Sequence, residues 1–185
     1  MPSSGRVHDR AILDALDAIG PVAFAGTVWR IVRAGRNPTQ GSSAQGRWSP
    51  GGSVEVLYAG LEKEGALAEI GYRLGLEPVW PSRIEHDIVS ISATGERCLR
   101  FADTASLAGL GIDTSRYESL DYSATQALAA AAHFLEFDGL LVPSARHDST
   151  NLVVFMDRPI SAALQIVSRE IVDWASWRRR RSRRD

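Results

Sequence analysis

The chain is nearly without cysteine: Cys98 is the single one among 185 residues. That excludes a disulfide framework and a zinc site built on thiolates, and it fits a reducing compartment. Long apolar runs are also missing. The longest, around "ALAAAAHFL", is far too short to cross a bilayer, and the polar opening "MPSSGRVHDR" has no apolar signal-peptide core. The expected location is therefore cytoplasmic, with no membrane contact. Four histidines, His8, His86, His133 and His147, are scattered without metal-ligand spacing, so no metal is expected. No glycine fingerprint joins a strand to a helix, which disfavours a doubly wound sheet. Finally, no acidic residue stands between Asp17 and Glu55, although that stretch holds Arg30, Arg33, Arg36 and Arg47. Cations without a local counterion point to one supplied from outside.

What is present describes one domain over residues 1–177, followed by the arginine-rich ending 178–185, which reads as a solvated terminus. Hydrophobic periodicity predicts a helix from Asp9, carrying Ile12, Leu13 and Leu16 and stopped by Gly20 and Pro21. A buried strand follows at 27–33, with Arg30 between Val28 and Val32 on one face, where a guanidinium needs an anion or hydrogen-bond acceptors. "SVEVLYAG" is a second strand. A helix from about Glu62 to Leu74 packs through Leu67, Ile70 and Leu74 and leaves Glu69 on nearly the opposite face. A strand at 83–92, a short helix near 104–110 and the alanine-dense helix "DYSATQALAAAAHFLEF" come next. "DGLLVPS", "NLVVFM" and "ALQIVSREIVDW" read as closing strands, the last with a helical alternative. The expected fold is compact α+β, with a mixed or antiparallel sheet flanked by helices.

The loop from Ala34 to Ser53 is long for a compact domain, and its glycines allow close approach to a ligand. Arg47 and Trp48 within it offer a charge and a stacking surface, or Trp48 is an anchor. Glu69 reads either as a surface ion pair with Arg73, one helical turn on, or as a carboxylate that stabilises positive charge on a sugar ring. A triad of Ser144, His147 and Asp148 is disfavoured, because such triads draw on separated segments. His133 reads as a satisfied core residue.

Taken in order, the strand arginine, "GRW" in the loop, "LY" ending the next strand, "ALAE" on the helix, and "PSAR" leading to "NLVVF" resemble the RES-domain family from about Trp29 to Phe155. The resemblance implies a toxin of a bacterial toxin-antitoxin pair, opposed by an Xre-type antitoxin, with a fold related to ADP-ribosyltransferase toxin catalytic domains. It also implies an enzyme that consumes NAD+ by breaking the nicotinamide–ribose bond, with water, phosphate or a protein side chain as acceptor. Carried over by motif, Arg30, Glu69 and Ser144 are the catalytic candidates, and Arg30, Arg47, Tyr58 and Asn151 the NAD+-binding candidates. The family's "GGRWN" reads "QGRWS" here, so Gln45 and Ser49 are departures. Guanidiniums suit a pyrophosphate. Tyr58 is expected to stack on nicotinamide or cover the ribose, Glu69 to hold a ribose hydroxyl, and Ser144 to hydrogen-bond substrate. The competing classes are a nucleic-acid-directed toxin, using the arginine tail with Trp174 and Trp177, and a noncatalytic NAD-binding module.

Overall fold

A computed structural model describes residues 8–52 and 54–182. Residues 1–7, Ser53 of the long loop and the last three residues of the arginine-rich ending lie outside the described residues.

Five helices and six strands follow in the order α1 (Arg10–Ile19), β1 (Val22–Arg33), β2 (Val56–Gly60), α2 (Lys63–Gly75), β3 (His86–Arg100), α3 (Thr104–Ala108), α4 (Ser123–Phe134), β4 (Gly139–Pro143), β5 (Thr150–Phe155), β6 (Gln165–Ile171) and α5 (Trp174–Arg181). Local chemistry sets several boundaries. The Asp9 carboxylate accepts from the Ala11 N–H at the start of α1, and Gly20, at φ 74°, ends it. Leu16 of its apolar stripe is fully buried.

The strand pairings run in a circuit. β1 lies antiparallel to β3 along most of its length, β3 runs parallel to β4, and β4, β5 and β2 continue antiparallel. β2 returns to β1, but the two pair only at Trp29 and Gly60. β6 is added on the outer edge of β3. Inside the circuit sit Phe24, Val28, Leu57, Ala59, Val89, Ile91, Leu141, Leu152 and Val154, together with Cys98, whose thiol burial pushes up to about 12. This cysteine is a core residue and a poor nucleophile.

Two helical layers cover the outside. α1 and α4 pack Leu16, Leu128 and Ala129 against Val56, Leu140, Val153 and Phe155. α2 and α5 pack Leu67, Ala68, Trp174 and Trp177 against Ile31 and Ile88. The expected α+β architecture with a mixed sheet and flanking helices is thus observed.

Two expectations need correction. β3 does not stop at 92 but continues to Arg100, because the Asp138 carboxylate accepts from the Glu96 and Arg97 N–H groups and β4 pairs with its last residues. The last expected closing strand is observed as β6, and helix α5 follows it from Trp174, capped by Asp173, which accepts from the Ser176 N–H. The described part of the arginine-rich ending is exposed, as a solvated terminus is, but it is helical through Arg181. Arg178 lies over Trp80 at 4.5 Å, Arg180 faces Glu64 at 4.0 Å, and positive charge suits a helix C-terminus. Trp174 and Trp177 are buried, which removes the free stacking surface that the nucleic-acid reading required.

Candidate functional site

Beyond Trp29 and Gly60 the strands β1 and β2 separate, and the opening is a cleft of about 340 Å³. It is lined by Arg30 and Ile31 from β1, Tyr58 from β2, Glu69 and Tyr72 from α2, and residues of the long loop. Ligand sites typically fall in roughly this size class and upward.

Glu69 is the centre of the site. Its Oε1 accepts a hydrogen bond of 2.6 Å from the Ser144 hydroxyl and one of 3.2 Å from the Asn151 side-chain amide. Both bonds fall on one oxygen, so Oε2 does not share those donors. The Ser144 Oγ in turn accepts from the Arg146 main-chain N–H at 3.1 Å. Topology explains the meeting. Asn151, the second residue of β5, lies opposite Gly60 of β2, Ser144 follows β4 beside it, and α2 begins shortly after β2. No ion pair joins Glu69 to Arg73 among the described residues. The Ser144 hydroxyl turns to Glu69 rather than to His147, whose Nδ1 is buried without a partner, so the disfavoured triad is not assembled.

The cleft arginines share a second property. Arg30 donates from Nη1 to the Pro38 and Gln40 carbonyls, each at 2.8 Å, and burial lowers its pKa to about 10. Arg47 donates to the Ser119 carbonyl at 3.1 Å and is held between the Tyr117 and Tyr122 rings, 4.8 Å from each centroid. Arg146, which the sequence reading did not single out, donates to the Glu118 carbonyl at 2.8 Å and lies 3.6 Å from the Tyr72 centroid. Carbonyls satisfy hydrogen bonds but cancel no charge. The cleft therefore combines one carboxylate with Arg30 and Arg47, whose bonds go to carbonyls, and with Arg146, whose ion-pair partner Glu118 is 3.8 Å away and exposed, an arrangement suited to a polyanionic ligand.

The glycine-rich loop is built, not loose. Trp48 is 2% exposed and stacks on Phe101, so it is an anchor and offers no face to a ligand. Ser49, one of the two departures, organises the turn: its Oγ accepts from the Gly46 N–H and donates to the Ala44 carbonyl. Helix α4 fastens the loop from the other side. Thr125 donates to the Arg47 carbonyl and Gln126 to that of Gly46, while the Gln126 amide also reaches Gln45, the other departure. Tyr58 lines the cleft, but its hydroxyl accepts from the Trp48 N–H at 2.9 Å, and burial raises its pKa. A Cβ on Gly46 would approach that hydroxyl to 2.7 Å, which is why glycine stands there.

His133 lies at the rim of the core rather than within it, with its Nε2 2.8 Å from Asp157 Oδ2 and its ring edge-on to Phe155.

The RES domain model matches residues 27–175. The chain belongs to the RES-domain family. Among its relatives, the NAD(+) phosphorylase MbcT of Mycobacterium tuberculosis (strain ATCC 25618 / H37Rv) is 23% identical over 171 residues, covering 89% of this chain and 91% of the relative. A probable NAD(+) phosphorylase of the same organism is 29% identical over 140 residues, covering 72% and 66%. The crystal structure of the M. tuberculosis MbcT–MbcA toxin–antitoxin complex contains a chain with the same fold, at TM-score 0.79 and 22% identity, covering 92% of this chain and 97% of that one. All six residues carried over by motif lie within the RES domain. Five of them line the cleft, and Ser144 reaches it through Glu69. Among the described residues no helix is long and apolar enough to cross a membrane, and no cluster of three metal-ligating side chains occurs.

Proposed function

We propose that this RES domain is an NAD+-consuming toxin that transfers the ADP-ribosyl group to inorganic phosphate and releases nicotinamide. The observation that carries the reading is the Glu69 carboxylate, held on one oxygen by Ser144 and Asn151 in a cleft where Arg30 and Arg47 are bonded to neutral carbonyls. The names of the curated relatives support phosphate as acceptor.

In this reading Arg30 and Arg47 receive the pyrophosphate, and the face of Tyr58 borders the nicotinamide ribose. Oε2 of Glu69 takes a ribose hydroxyl and stabilises the positive charge that grows on the ring as the C1′–N bond lengthens. The electron pair of that bond neutralises the pyridinium, so nicotinamide leaves without needing an acid. Ser144 fixes the carboxylate and is not the nucleophile. NAD+ is a substrate, not a resident cofactor.

The solved relative in its toxin–antitoxin complex supports an antitoxin partner for this chain as well. In this reading the antitoxin is of Xre type, as the resemblance implies, and covers the cleft around Arg47. A protein side chain as acceptor is the alternative outcome of the same assay. Purified protein is incubated with labelled NAD+ and phosphate, and nicotinamide and ADP-ribosyl products are separated. Glu69→Gln is expected to lower nicotinamide release by about 10²–10³, the scale of removing one preorganised charge-stabilising group. Full release by that variant would overturn the mechanism, and saturable binding of NAD+ by the native protein without release would indicate a binding module.

A further inference from the structure

Arg146 stands apart from the other cleft arginines. Its side chain is only 10% exposed, yet its nearest carboxylate, Glu118, is 3.8 Å away and itself 79% exposed. One nitrogen, Nη2, is used by the Glu118 carbonyl, and the guanidinium lies flat on the Tyr72 ring, 3.6 Å from its centroid. A cation so largely buried, with one exposed and solvent-screened carboxylate as its partner, is suited to a second anion.

Its place is fixed from two directions. The Arg146 main-chain N–H holds Ser144, which holds Glu69, and Tyr72, which supports the guanidinium, lies one turn after Glu69 on α2. Main chain and side chain thus set the cation at a defined position beside the carboxylate. Arg30 is engaged by the Pro38 and Gln40 carbonyls, and Arg47 is clasped by two tyrosines.

Resting on the proposed reaction, we infer that Arg146 is the residue that selects phosphate as acceptor. A phosphate dianion must come close to the ribose carbon that Glu69 serves, and the two negative charges repel unless a cation stands beside them. The guanidinium fork, braced by Tyr72, grips two phosphate oxygens through its remaining donors and leaves a third to attack. That oxygen forms the bond to C1′ as the C1′–N bond breaks, and the electron pair goes to the departing nicotinamide. The phosphate proton is lost to solvent, and the product is ADP-ribose 1″-phosphate. Without the cation, water is the acceptor that remains.

The test compares the native protein with Arg146→Gln and Arg146→Lys, all checked for folding by circular dichroism. In Arg146→Gln the KM for phosphate rises by about tenfold or more, as expected for loss of a charge-assisted contact, while the KM for NAD+ stays within about twofold. The product shifts from ADP-ribose 1″-phosphate to free ADP-ribose, and Arg146→Lys recovers part of the phosphate dependence. Equilibrium dialysis with labelled inorganic phosphate gives a second readout independent of turnover: the native protein binds it, and Arg146→Gln does not. An unchanged phosphate KM in folded Arg146→Gln, or equal rises in both KM values, overturns the assignment. Absence of NAD+ cleavage by the native protein would sink the proposed reaction instead, with dialysis still deciding whether Arg146 binds phosphate.

Discussion

Replacing Ser144 by alanine separates two roles for this hydroxyl, contact with substrate or support of Glu69. The structure shows one strong bond, 2.6 Å from Ser144 Oγ to a carboxylate oxygen that Asn151 also holds. Hydrogen bonds to charged groups are worth about 1.5–3 kcal/mol. Because Glu69 is half-buried and keeps Asn151, the lower end applies, or about tenfold in rate at roughly 1.4 kcal/mol per decade. Since the hydroxyl acts on the carboxylate, the loss should fall on kcat, with the KM for NAD+ unchanged. The deciding assay is a double-mutant cycle on nicotinamide release with Glu69→Gln. If Ser144 works only through Glu69, the double variant is no slower than Glu69→Gln alone. Additive losses, or a KM effect from Ser144→Ala alone, would refute this and give Ser144 a contact of its own with substrate.

Gly46→Ala brings a Cβ against the Tyr58 hydroxyl, and the resulting strain should cost about 1–3 kcal/mol in urea unfolding. His86 sets a pH dependence. It is 6% exposed, its Nδ1 accepts from the Trp174 indole N–H at 3.2 Å, and burial lowers its pKa below the ordinary 6.5. The unfolded chain therefore binds a proton that the folded chain refuses as pH falls below about 6.5, so stability declines on acidification. Melting curves from pH 7.5 to 5 should show this fall, and His86→Gln, which keeps an acceptor for Trp174, should flatten it. An unaltered slope in that variant would assign the pH dependence to other groups.

Much of this was readable in the linear order of residues. The stripes of α1 and α2, the alanines of α4 and the strands carrying Arg30 and Tyr58 are periodic signals, and packing obeyed them. Glu69, Ser144 and Asn151 were legible only as members of an ordered motif set, because nothing local says that a helix residue and two strand ends will meet. Arg146 was in plain view within "PSAR", but its value depends on Tyr72 and Glu118, both remote in sequence. Tyr117 and Tyr122, which clasp Arg47, carried no signal at all. The loop was half legible: Trp48 as an anchor was one of its two readings, whereas its fastening by Ser49 and α4 depends on partners that the glycine-rich stretch does not announce. Likewise, the polar stretch within β3 gave no alternation, because its regularity comes from Asp138 and from pairing with β4.

The bonding of the cleft arginines to neutral carbonyls has a kinetic side. Those bonds hold the Arg30 and Arg47 guanidiniums in place without cancelling their charge, so their field extends into the cleft. An anion in solution is then drawn in before any contact forms. Capture should slow steeply with added salt, since screening shortens the reach of such a field to about 10 Å at 0.1 M ionic strength. A RES domain of this design gathers its substrate at a rate set by the ionic composition around it.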